Sequence, residues 1–507
     1  MMSLSKSEPI SSKGVLGLWL GNPLFGWPVI VPTRTEVLKP LLSTKERVDK
    51  SFIYRMFLDL LGCGLISSNR DVWNVHRKLL NPTFHSKLLT GFTPIIRNQA
   101  AKLVSKLDTM SKNGDETIDN LSDIISGTTM AIICETAMGI QEDEIDSKYS
   151  ASLSMVDRLM VSRFESAYKA IDWIYALTPD GREFYNRIRF VKNVGLQLVK
   201  TRIKNFEKPG DESTKSGLDA NSSIKESGMR QRSLVDTLIL AHLENPKEMT
   251  EEMIRDEVDT FLAAGHDTTT WGLTWTLIHL GQHADIQEKL LEEISEVFGN
   301  EIGSESNFKS TIGKEKEESS RNIDGEKSEN IGEKSGIFER DLSDVITIEN
   351  VSRMKYLECV ILESLRLNPI VPFFGREILT DMAFTVDGTE YTIPKGSSVL
   401  VVPDIIHRNP RYWSDPERFK PDRFLPEKSR NRDPLSFLAF SFGPRNCIGR
   451  NFAMIEMKII LIHLLLRFKI TCLDHIDTVQ TDYAIARRCL HPVKFRFEVR
   501  QGRKEEK

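Results

Sequence analysis

Residues 440–450 read Phe-Ser-Phe-Gly-Pro-Arg-Asn-Cys-Ile-Gly-Arg, and an apolar run over 452–468 follows at once. Glycine tolerates backbone angles that a side chain forbids, so Gly443 and Gly449 would let backbone amides turn toward the sulfur of Cys447. The start of the following helix would add unpaired N–H groups and the positive end of its dipole. Both effects favour a thiolate, so we expect Cys447 to be exposed on one side and to have a lowered pKa.

A lone loop cysteine is most often a small buried residue, and for Cys447 alone this alternative would stand. The full string favours a ligand instead, because it matches Phe-x-x-Gly-x-Arg-x-Cys-x-Gly at every fixed position. It resembles the heme-binding loop of the cytochrome P-450 superfamily. The resemblance implies heme b (iron protoporphyrin IX) with Cys447 as the thiolate ligand of its iron. It also implies heme contacts from the other fixed positions, which are Phe440, Gly443, Arg445 and Gly449.

Length and composition are those of an ordinary globular protein. The chain has 507 residues, of which 40% are hydrophobic and 28% charged, and a formal net charge of −4. Nothing in this overall charge points to a nucleic-acid partner. The 6 cysteines form no C-x-x-C pair, so we predict neither a zinc site nor a redox dithiol. Their scatter along a long chain indicates a reducing compartment rather than a disulfide scaffold.

The N-terminal region carries no charge over 14–32, a length that invites assignment as a membrane span. Prolines and glycines interrupt this run. We therefore predict two strands, Val15–Leu20 and Trp27–Val31, joined by a turn at Asn22-Pro23. The first residues also lack the basic-then-apolar pattern of a signal peptide. We expect no membrane anchor within this chain.

Most of the chain after these strands is predicted to be helical. Thr250 is a good N-cap for a long helix that ends near His283, and another helix covers Met354–Leu367. Short strands are predicted between 373 and 402. The fold class is therefore mainly α with a small β region (α+β). We expect a single catalytic domain over 1–507.

Turn-forming residues and local composition predict the irregular parts of the chain. Asp387-Gly388 is typical of a tight turn between strands. The Pro-rich stretch 407–426 is predicted to be irregular. Two segments, 209–230 and about 300–338, are rich in small and charged residues and cannot bury enough apolar surface to become ordered. We predict both to be disordered, the second as an insert within the domain.

Residues 264–270 read Ala-Gly-His-Asp-Thr-Thr-Thr in the middle of the long predicted helix. Glycine costs about 1 kcal/mol relative to alanine there, and threonine hydroxyls can bond to the preceding turn and bend a helix. A solvent-facing patch is the alternative to a functional distortion. With the cysteine loop, the stretch resembles the oxygen-binding groove of the superfamily. The resemblance implies that Thr268 hydrogen-bonds dioxygen, that Asp267 relays protons from solvent, and that Ala264 lies beside the heme.

Glu363 and Arg366 lie at i and i+3 of a predicted helix and can form an ion pair, which on many helices is only a surface feature. In the superfamily such a Glu-x-x-Arg pair is buried and joined by an arginine from a later Pro-rich segment. Arg418 and Arg423 are both candidates, and spacing back from Cys447 favours Arg423. The resemblance implies a structural network that holds the heme-side loop.

Heme carries two carboxylates that need cations. Trp73 and Arg77 match the superfamily pattern Trp-x-x-x-Arg, and Arg376 and Arg445 are the other candidates. Arginine suits a carboxylate because its fork is planar and always charged. Each of these arginines alone would be an ordinary surface residue. Their assignment to the heme carboxylates therefore depends on all of them occurring together with the other motifs.

Three stretches, 77–85, 265–270 and 356–367, resemble family four of the superfamily. That family includes fatty-acid ω-hydroxylases and arthropod enzymes acting on lipids, hormones or xenobiotics. Many members carry glutamate where this chain has Ala264, and that glutamate can link covalently to heme. We therefore expect neither covalent attachment by that route nor strict selectivity for a terminal carbon. Members also usually begin with a membrane helix, which we expect to be missing here.

The resemblance implies a monooxygenase that inserts one atom of dioxygen into a hydrophobic substrate, such as a fatty acid, lipid hormone or xenobiotic. Electrons would come from NADPH through a separate reductase, with cytochrome b5 as a second candidate donor, because the chain has no flavin or nicotinamide fingerprint. The family also implies the cytosolic face of the endoplasmic reticulum membrane. Two alternatives stay open: a dioxygen-independent heme isomerase or dehydratase, and a non-enzymatic heme-binding relic.

The resemblance also predicts where the substrate and the reductase bind. The apolar stretches 261–268 and 370–374 are predicted to line the substrate pocket. We hypothesise that the reductase docks on the cysteine side through basic residues, namely His76, Arg77, Lys78 and Arg450.

Overall fold

The computed structural model describes residues 14–20, 27–44, 49–84, 86–112, 117–141, 148–164, 166, 169, 171–207, 233–299, 345–483 and 485–500. The predicted turn at Asn22-Pro23 and the segments 209–230 and 300–338, predicted to be disordered, lie outside the described residues. Within the described residues the protein is mainly α-helical with a small β region, as the sequence predicts.

The α-helices are α1 (Thr35–Leu42), α2 (Arg55–Leu61), α3 (Arg70–Leu80), α4 (Ser86–Lys112), α5 (Leu121–Ile133), α6 (Lys148–Phe164), α7 (Asp172–Leu177), α8 (Pro179–Glu207), α9 (Leu234–Glu244), α10 (Glu251–Gln282), α11 (Ala284–Phe298), α12 (Ile348–Arg353), α13 (Lys355–Leu367), α14 (Pro403–His407), α15 (Pro426–Ser429) and α16 (Arg450–Arg467). Short 3₁₀ turns lie at Phe52–Tyr54, Asn81–Phe84, Pro421–Phe424, Pro434–Ser436 and Ile476–Thr478, and a π turn lies at Cys134–Met138. The helices predicted to end near His283 and at Leu367 are α10 and α13. The Pro-rich stretch predicted to be irregular contains only short helical turns.

The strands are β1 (Val15–Leu20), β2 (Trp27–Pro32), β3 (Phe374–Glu377), β4 (Met382–Val386), β5 (Thr389–Ile393), β6 (Ser398–Val401), β7 (Phe468–Cys472), β8 (Thr481–Tyr483), β9 (Arg487–Cys489) and β10 (Phe495–Val499). The largest sheet has the order β1-β2-β6-β3, and three hairpin-like pairs, β4-β5, β7-β10 and β8-β9, complete the β region. Among the described strands, only β2 and β6 pair in parallel. Both predicted N-terminal strands are confirmed.

The hairpin of β4 and β5 shows how local sequence sets this region. Alternate residues of β4, namely Met382, Phe384 and Val386, are buried, as expected for a strand with one face on the core. Asp387 and Gly388 have φ of 49° and 82°, which is the backbone of a tight hairpin turn. The predicted turn is confirmed.

Helix α10 runs through the centre of the protein. Its first turn is capped as predicted, since the Met253 N–H donates to the Thr250 hydroxyl at 3.2 Å. The helix packs against α5, α8, α13 and α16, and it is buried along most of its length. A helix that is buried on all sides can hold functional groups against several neighbours at once. Among the described residues, no helix combines the length and the apolarity needed to cross a membrane.

Candidate active site

The cysteine loop is fixed by its own backbone and by α1. The Cys447 N–H donates to the Phe440 carbonyl at 2.9 Å, and the Asn446 N–H donates to the Gly443 carbonyl at 3.0 Å. Gly443 has φ of +75°, and a Cβ there would lie 1.8 Å from the Leu42 carbonyl oxygen. Only glycine fits that position, for both backbone and steric reasons.

The role of Gly449 in the loop differs from the predicted one. It is the N-cap of α16 with φ of −84°, which any residue can adopt, so the expectation of an unusual backbone angle was wrong here. A Cβ at Gly449 would lie 4.0 Å from the Cys447 sulfur, an ordinary contact distance. What Gly449 contributes is its N–H, which, with that of Arg450, favours the charged form of the thiol.

The electrostatics of Cys447 differ from the expectation. Burial raises the pKa of its thiol above the ordinary value, while the Gly449 N–H and the charges of Arg77 and Arg450 oppose this rise. The predicted net lowering was therefore wrong for the polypeptide alone, because desolvation exceeds the helix-end and charge contributions. The thiol does have exposed surface, as predicted.

Helix α3 is joined to the cysteine loop by two arginines. Arg77 donates to the backbone and side-chain oxygens of Asn446, at 2.8 Å each. Arg445 donates to the carbonyls of Leu65 and Ser68 at 3.2 and 2.6 Å, and lies 4.6 Å from the Trp73 ring centroid. The predicted residues Trp73, Arg77 and Arg445 are thus brought together around the loop.

A group of buried cations forms beside this junction. Arg376 on β3 is buried and donates to the Gly375 carbonyl at 2.9 Å. Burial and, after it, the charge of Arg376 lower the pKa of Arg445 to about 9, although the charge of Asp49 opposes the shift. Lys50 and Tyr54, which the sequence reasoning missed, border the same group, with the Lys50 Nζ 4.1 Å from the Tyr54 ring centroid. Among the described residues, no carboxylate lies within ion-pair distance of Lys50, Arg376 or Arg445.

The centre of α10 keeps its helical hydrogen bonding through residues 264–270, so the predicted distortion is not seen. The predicted bonds to the preceding turn are present, because the Thr268 hydroxyl donates to the Ala264 carbonyl at 2.7 Å. Gly265 has a packing reason, since a Cβ would lie 2.7 Å from the Ile133 side chain on α5. Ala264, Gly265 and Thr268 are half-buried although the helix is central.

Asp267 is held by an ion pair that the sequence reasoning missed. Arg488 on β9 lies 3.0 Å from Asp267 and also contacts Asp157 on α6. Asp157 further accepts the Ile485 N–H at 3.0 Å, and burial raises its pKa to about 6 although Arg488 opposes the shift. The predicted proton relay is therefore tied to α6 and to the β8-β9 hairpin. Arg488 gave no signal in sequence because it lies 221 residues from Asp267.

The substitution Arg488→Gln is expected to destabilise the protein in a pH-dependent way. Removing the cation leaves Asp157 and Asp267 uncompensated, with Asp482 nearby, which costs about 3 kcal/mol at pH 8. The raised pKa of Asp157, about 6 with Arg488 present, rises further without it. Protonation below pH 6 therefore relieves the repulsion, so the loss shrinks at pH 5.5. Urea unfolding at both pH values measures this. Arg488→Lys is the control, and an equal loss at both values would contradict the prediction.

The Glu363 carboxylate organises a buried network on the far side of the loop. It binds Arg366 at 2.7 and 2.9 Å, Arg423 at 3.0 Å and the Lys420 N–H at 2.8 Å. Glu363 and Arg366 are fully buried. Of the two candidates, Arg423 reaches the carboxylate, while Arg418 contributes only a carbonyl to Arg366.

This network continues toward the cysteine loop. Arg366 donates to the carbonyls of His407 and Pro416 at 2.9 and 2.7 Å. The His407 ring bonds the Arg366 carbonyl at 3.0 Å and accepts the Leu438 N–H at 2.7 Å. Since Leu438 lies just before the loop, α13 is joined to the segment that leads to Cys447. Such a fully satisfied network can fix one loop conformation.

The residues around Cys447 have the chemical groups that heme requires. Cys447 is exposed, and the central helix α10 has half-buried positions at Ala264 and Thr268. A buried donor, Nε of Arg445, has no hydrogen-bond partner within the part of the chain that the structure describes. Cations without carboxylates, a thiol and a small-residue helix face are together what an iron porphyrin with two carboxylates requires.

Comparison with known proteins identifies the class. The family described as Cytochrome P-450 matches residues 16–307 and 328–497. The chain belongs to this family of heme-dependent monooxygenases, and it is an oxidoreductase.

Curated relatives give the branch within the family. The chain is 32% identical to cytochrome P-450 4V2 of Mus musculus over 457 residues, which cover 90% of this chain and 76% of the relative. It is 31% identical to cytochrome P-450 4c3 of Drosophila melanogaster over 465 residues, covering 91% and 77%. It is 30% identical to cytochrome P-450 4F8 of Homo sapiens over 472 residues, covering 92% and 80%. The resemblance to family four is confirmed.

Proposed function

We propose that this monooxygenase oxidises a lipid-like substrate with electrons from NADPH, and that Cys447 is the ligand of its heme iron. The observation that carries the proposal is the exposed Cys447, on a loop whose N–H groups and neighbouring cations favour the charged form of its thiol. The described elements act as one catalytic domain. The residues proposed to hold heme are Trp73, Arg77, Ala264, Arg376, Phe440, Gly443, Arg445 and Gly449.

When bound, heme supplies dioxygen activation, with one oxygen atom passing to the substrate and the other leaving as water. The polypeptide supplies protons and a dry pocket. In the structure the Thr268 hydroxyl donates to Ala264, so its oxygen is free to accept and its proton can be redirected by rotation. Asp267, one residue before Thr268, would relay protons from solvent once its side chain moves from Arg488.

Apolar side chains support a hydrophobic substrate. Phe261 on α10 is buried and stacks on Phe84, with ring centroids 5.7 Å apart. Ile370 and Phe374, from the second predicted pocket segment, are also buried. With 261–268 and 370–374 as the pocket wall predicted from the sequence, these apolar side chains favour a fatty acid, a lipid hormone or a hydrophobic xenobiotic over a charged metabolite.

The proposal includes partners and a location. Electrons would arrive from an NADPH-dependent reductase, with cytochrome b5 as a second donor, at the cytosolic face of the endoplasmic reticulum membrane. The docking hypothesis needs one correction, because His76 is fully buried and bonds Glu257 at 2.6 Å. Arg77 is occupied by Asn446. Lys78 and Arg450 remain exposed and could meet an acidic partner.

Turnover with labelled dioxygen tests the proposed function. The purified protein, an NADPH-dependent reductase, NADPH and a panel of fatty acids are incubated under isotopically labelled dioxygen. We expect label in a hydroxylated product, detected by mass spectrometry. Product that forms equally well without dioxygen would favour the heme isomerase or dehydratase. If none of the fatty acids gives a product, the non-enzymatic heme-binding alternative would be favoured.

The substitution Thr268→Ala is expected to uncouple NADPH consumption from product formation. Removing the hydroxyl should lower product by about 10- to 100-fold, at the lower end of general acid–base effects, while hydrogen peroxide release rises. Parallel assays of NADPH, peroxide and product measure this. Thr268→Ser keeps the hydroxyl and serves as the control. Full product yield in Thr268→Ala without extra peroxide would remove Thr268 from proton delivery.

A further inference from the structure

Helix α5 packs against α10, and most of its buried side chains are apolar. Two polar pairs interrupt this apolar contact. The Ser126 hydroxyl lies 2.6 Å from Nε2 of His266, and the hydroxyls of Thr129 and Thr270 lie 2.7 Å apart. His266 and Thr270 belong to the stretch 264–270, yet neither takes part in the proposed proton delivery. The two pairs therefore need an explanation of their own.

The groups that form these pairs are satisfied on both helices. The Thr270 hydroxyl also lies 2.9 Å from the His266 carbonyl, and the Thr129 hydroxyl lies 3.1 Å from the Ser126 carbonyl. Whichever threonine donates to the other, the second therefore has a carbonyl of its own helix to donate to. Burial lowers the pKa of His266, although the charge of Asp267 opposes the shift. The ring is therefore neutral near pH 7 and pairs with Ser126 as an uncharged group.

Both pairs lie on one face of α10, because His266 and Thr270 are about one turn apart. Successive residues of an α-helix are rotated by about 100°, so Thr268 points about 200° away from each of them. Burial agrees with this placement, since His266 and Thr270 are buried and Thr268 is half-buried. The helix is thus held by α5 on the side opposite the residue that is proposed to deliver protons.

Gly265 allows the two helices to come close enough for these pairs. A Cβ at Gly265 would lie 2.7 Å from the Ile133 side chain of α5, so a larger residue would push the helices apart. Serine and threonine have short side chains, and they can bond across a helix contact only where the two backbones are close. The glycine and the two pairs therefore act together.

Hydrogen bonds constrain a helix in a way that apolar packing does not. Apolar burial is non-directional, so packing alone would tolerate a small rotation of α10 about its axis. Hydrogen bonds weaken steeply as their angle departs from linear, and a buried polar group left unpaired is costly. One pair could act as a pivot, whereas two pairs a turn apart fix the rotation.

We propose that Ser126 and Thr129 are positioning residues for the oxidation. By binding the face of α10 opposite Thr268, they fix the rotation of this helix and hold the Thr268 hydroxyl in the direction that proton delivery requires. The inference rests on the proposed function, and it adds two residues from a helix that no sequence motif connected with the reaction. Residues that only stabilised the contact of α5 with α10 would affect folding and leave the fate of dioxygen in the folded protein unchanged.

The coupling of NADPH consumption to product formation tests the proposal with the heme-loaded protein. Wild type and the double variant Ser126→Ala/Thr129→Val are compared at equal heme content, with reductase and the fatty acid that wild type oxidises best. We expect product per NADPH to fall about tenfold, within the roughly 100-fold that a 1 Å misplacement can cost, while hydrogen peroxide rises. The KM for the fatty acid should not change, since neither residue lies in the predicted pocket wall.

Two single substitutions on α5 serve as controls. Thr128→Val removes the neighbouring hydroxyl, which bonds the Ile124 carbonyl of its own helix at 3.3 Å, and it should match wild type. Thr129→Ser keeps the hydroxyl and should keep the coupling that Thr129→Val loses. An equal loss of coupling in Thr129→Ser and Thr129→Val would overturn the inference.

A second measurement does not depend on turnover. Carbon monoxide is added to the reduced proteins, and its carbon–oxygen stretching frequency reports the direction of polar groups beside it. The double variant should shift or broaden this band and keep the wild-type Soret position, because the cysteine loop is unchanged. If the double variant does not accumulate, Ser126→Ala and Thr129→Val alone should each lose about threefold in coupling, since independent effects multiply.

The outcomes separate this inference from the proposed function. A double variant with wild-type coupling and a wild-type carbon monoxide band overturns the inference alone. A wild type that binds heme but oxidises none of the fatty acids overturns the proposed function and the inference together.

Discussion

Cys447→Ser is expected to abolish the thiolate signature of the heme protein. In wild type, reduction with dithionite and addition of carbon monoxide should give a strongly red-shifted Soret band. Serine preserves the loop backbone, including the Cys447 N–H bond to the Phe440 carbonyl at 2.9 Å, but it offers no sulfur ligand. The band should therefore move to a histidine-like position or disappear with the heme.

The functional loss should be as complete as the spectral one. A thiolate favours cleavage of the bond between the two oxygen atoms, so monooxygenase turnover should fall below about one-thousandth of wild type, as when an indispensable group is removed. Cys63→Ser and Cys489→Ser are matched controls, since these cysteines lie outside the loop, and both should keep the band. A red-shifted band that persists in Cys447→Ser would contradict the assignment.

Features that depend on neighbours in sequence were predictable. The caps and bounds of α10, the hairpin at Asp387-Gly388 and the loop glycine Gly443 all follow from local backbone preferences. The same local reasoning gave the i and i+3 pairing of Glu363 with Arg366. Where the controlling interactions lie within one helical turn or one hairpin, residue type and spacing carry enough information.

Features that depend on distant parts of the chain could not be predicted from the sequence. Arg488 reaches Asp267 from 221 residues away, and no pattern marks it among the arginines. His76 looked like part of a basic surface, yet tertiary packing buries it against Glu257 at 2.6 Å. The pKa of Cys447 went against expectation for a similar reason, because desolvation depends on the packed surroundings rather than on the loop sequence.

Glu363→Gln is expected to cause the largest loss of stability of any single substitution considered. Glutamine keeps the shape but removes the charge that compensates Arg366 and Arg423, both buried. Leaving buried guanidinium groups unpaired costs about 3–5 kcal/mol, a large part of the stability of a typical domain. The effect should spread to heme retention, because the network reaches Leu438 through His407 and so holds the segment before Cys447.

Glu358→Gln is the matched control for this substitution. Glu358 lies on the same helix and pairs with Lys458 at 2.8 Å, and the Glu358 side chain is 38% exposed while that of Lys458 is 6% exposed. Losing this single charged contact should cost about 1.5–3 kcal/mol, less than losing the carboxylate that holds two buried arginines. Urea unfolding of both variants, followed by helical signal and heme absorbance, measures the difference. If Glu363→Gln does not accumulate, the double variant Glu363→Gln/Arg423→Met should recover part of the soluble protein, because one uncompensated charge is gone. Equal, small losses in Glu363→Gln and Glu358→Gln would show that the buried network does not hold the loop.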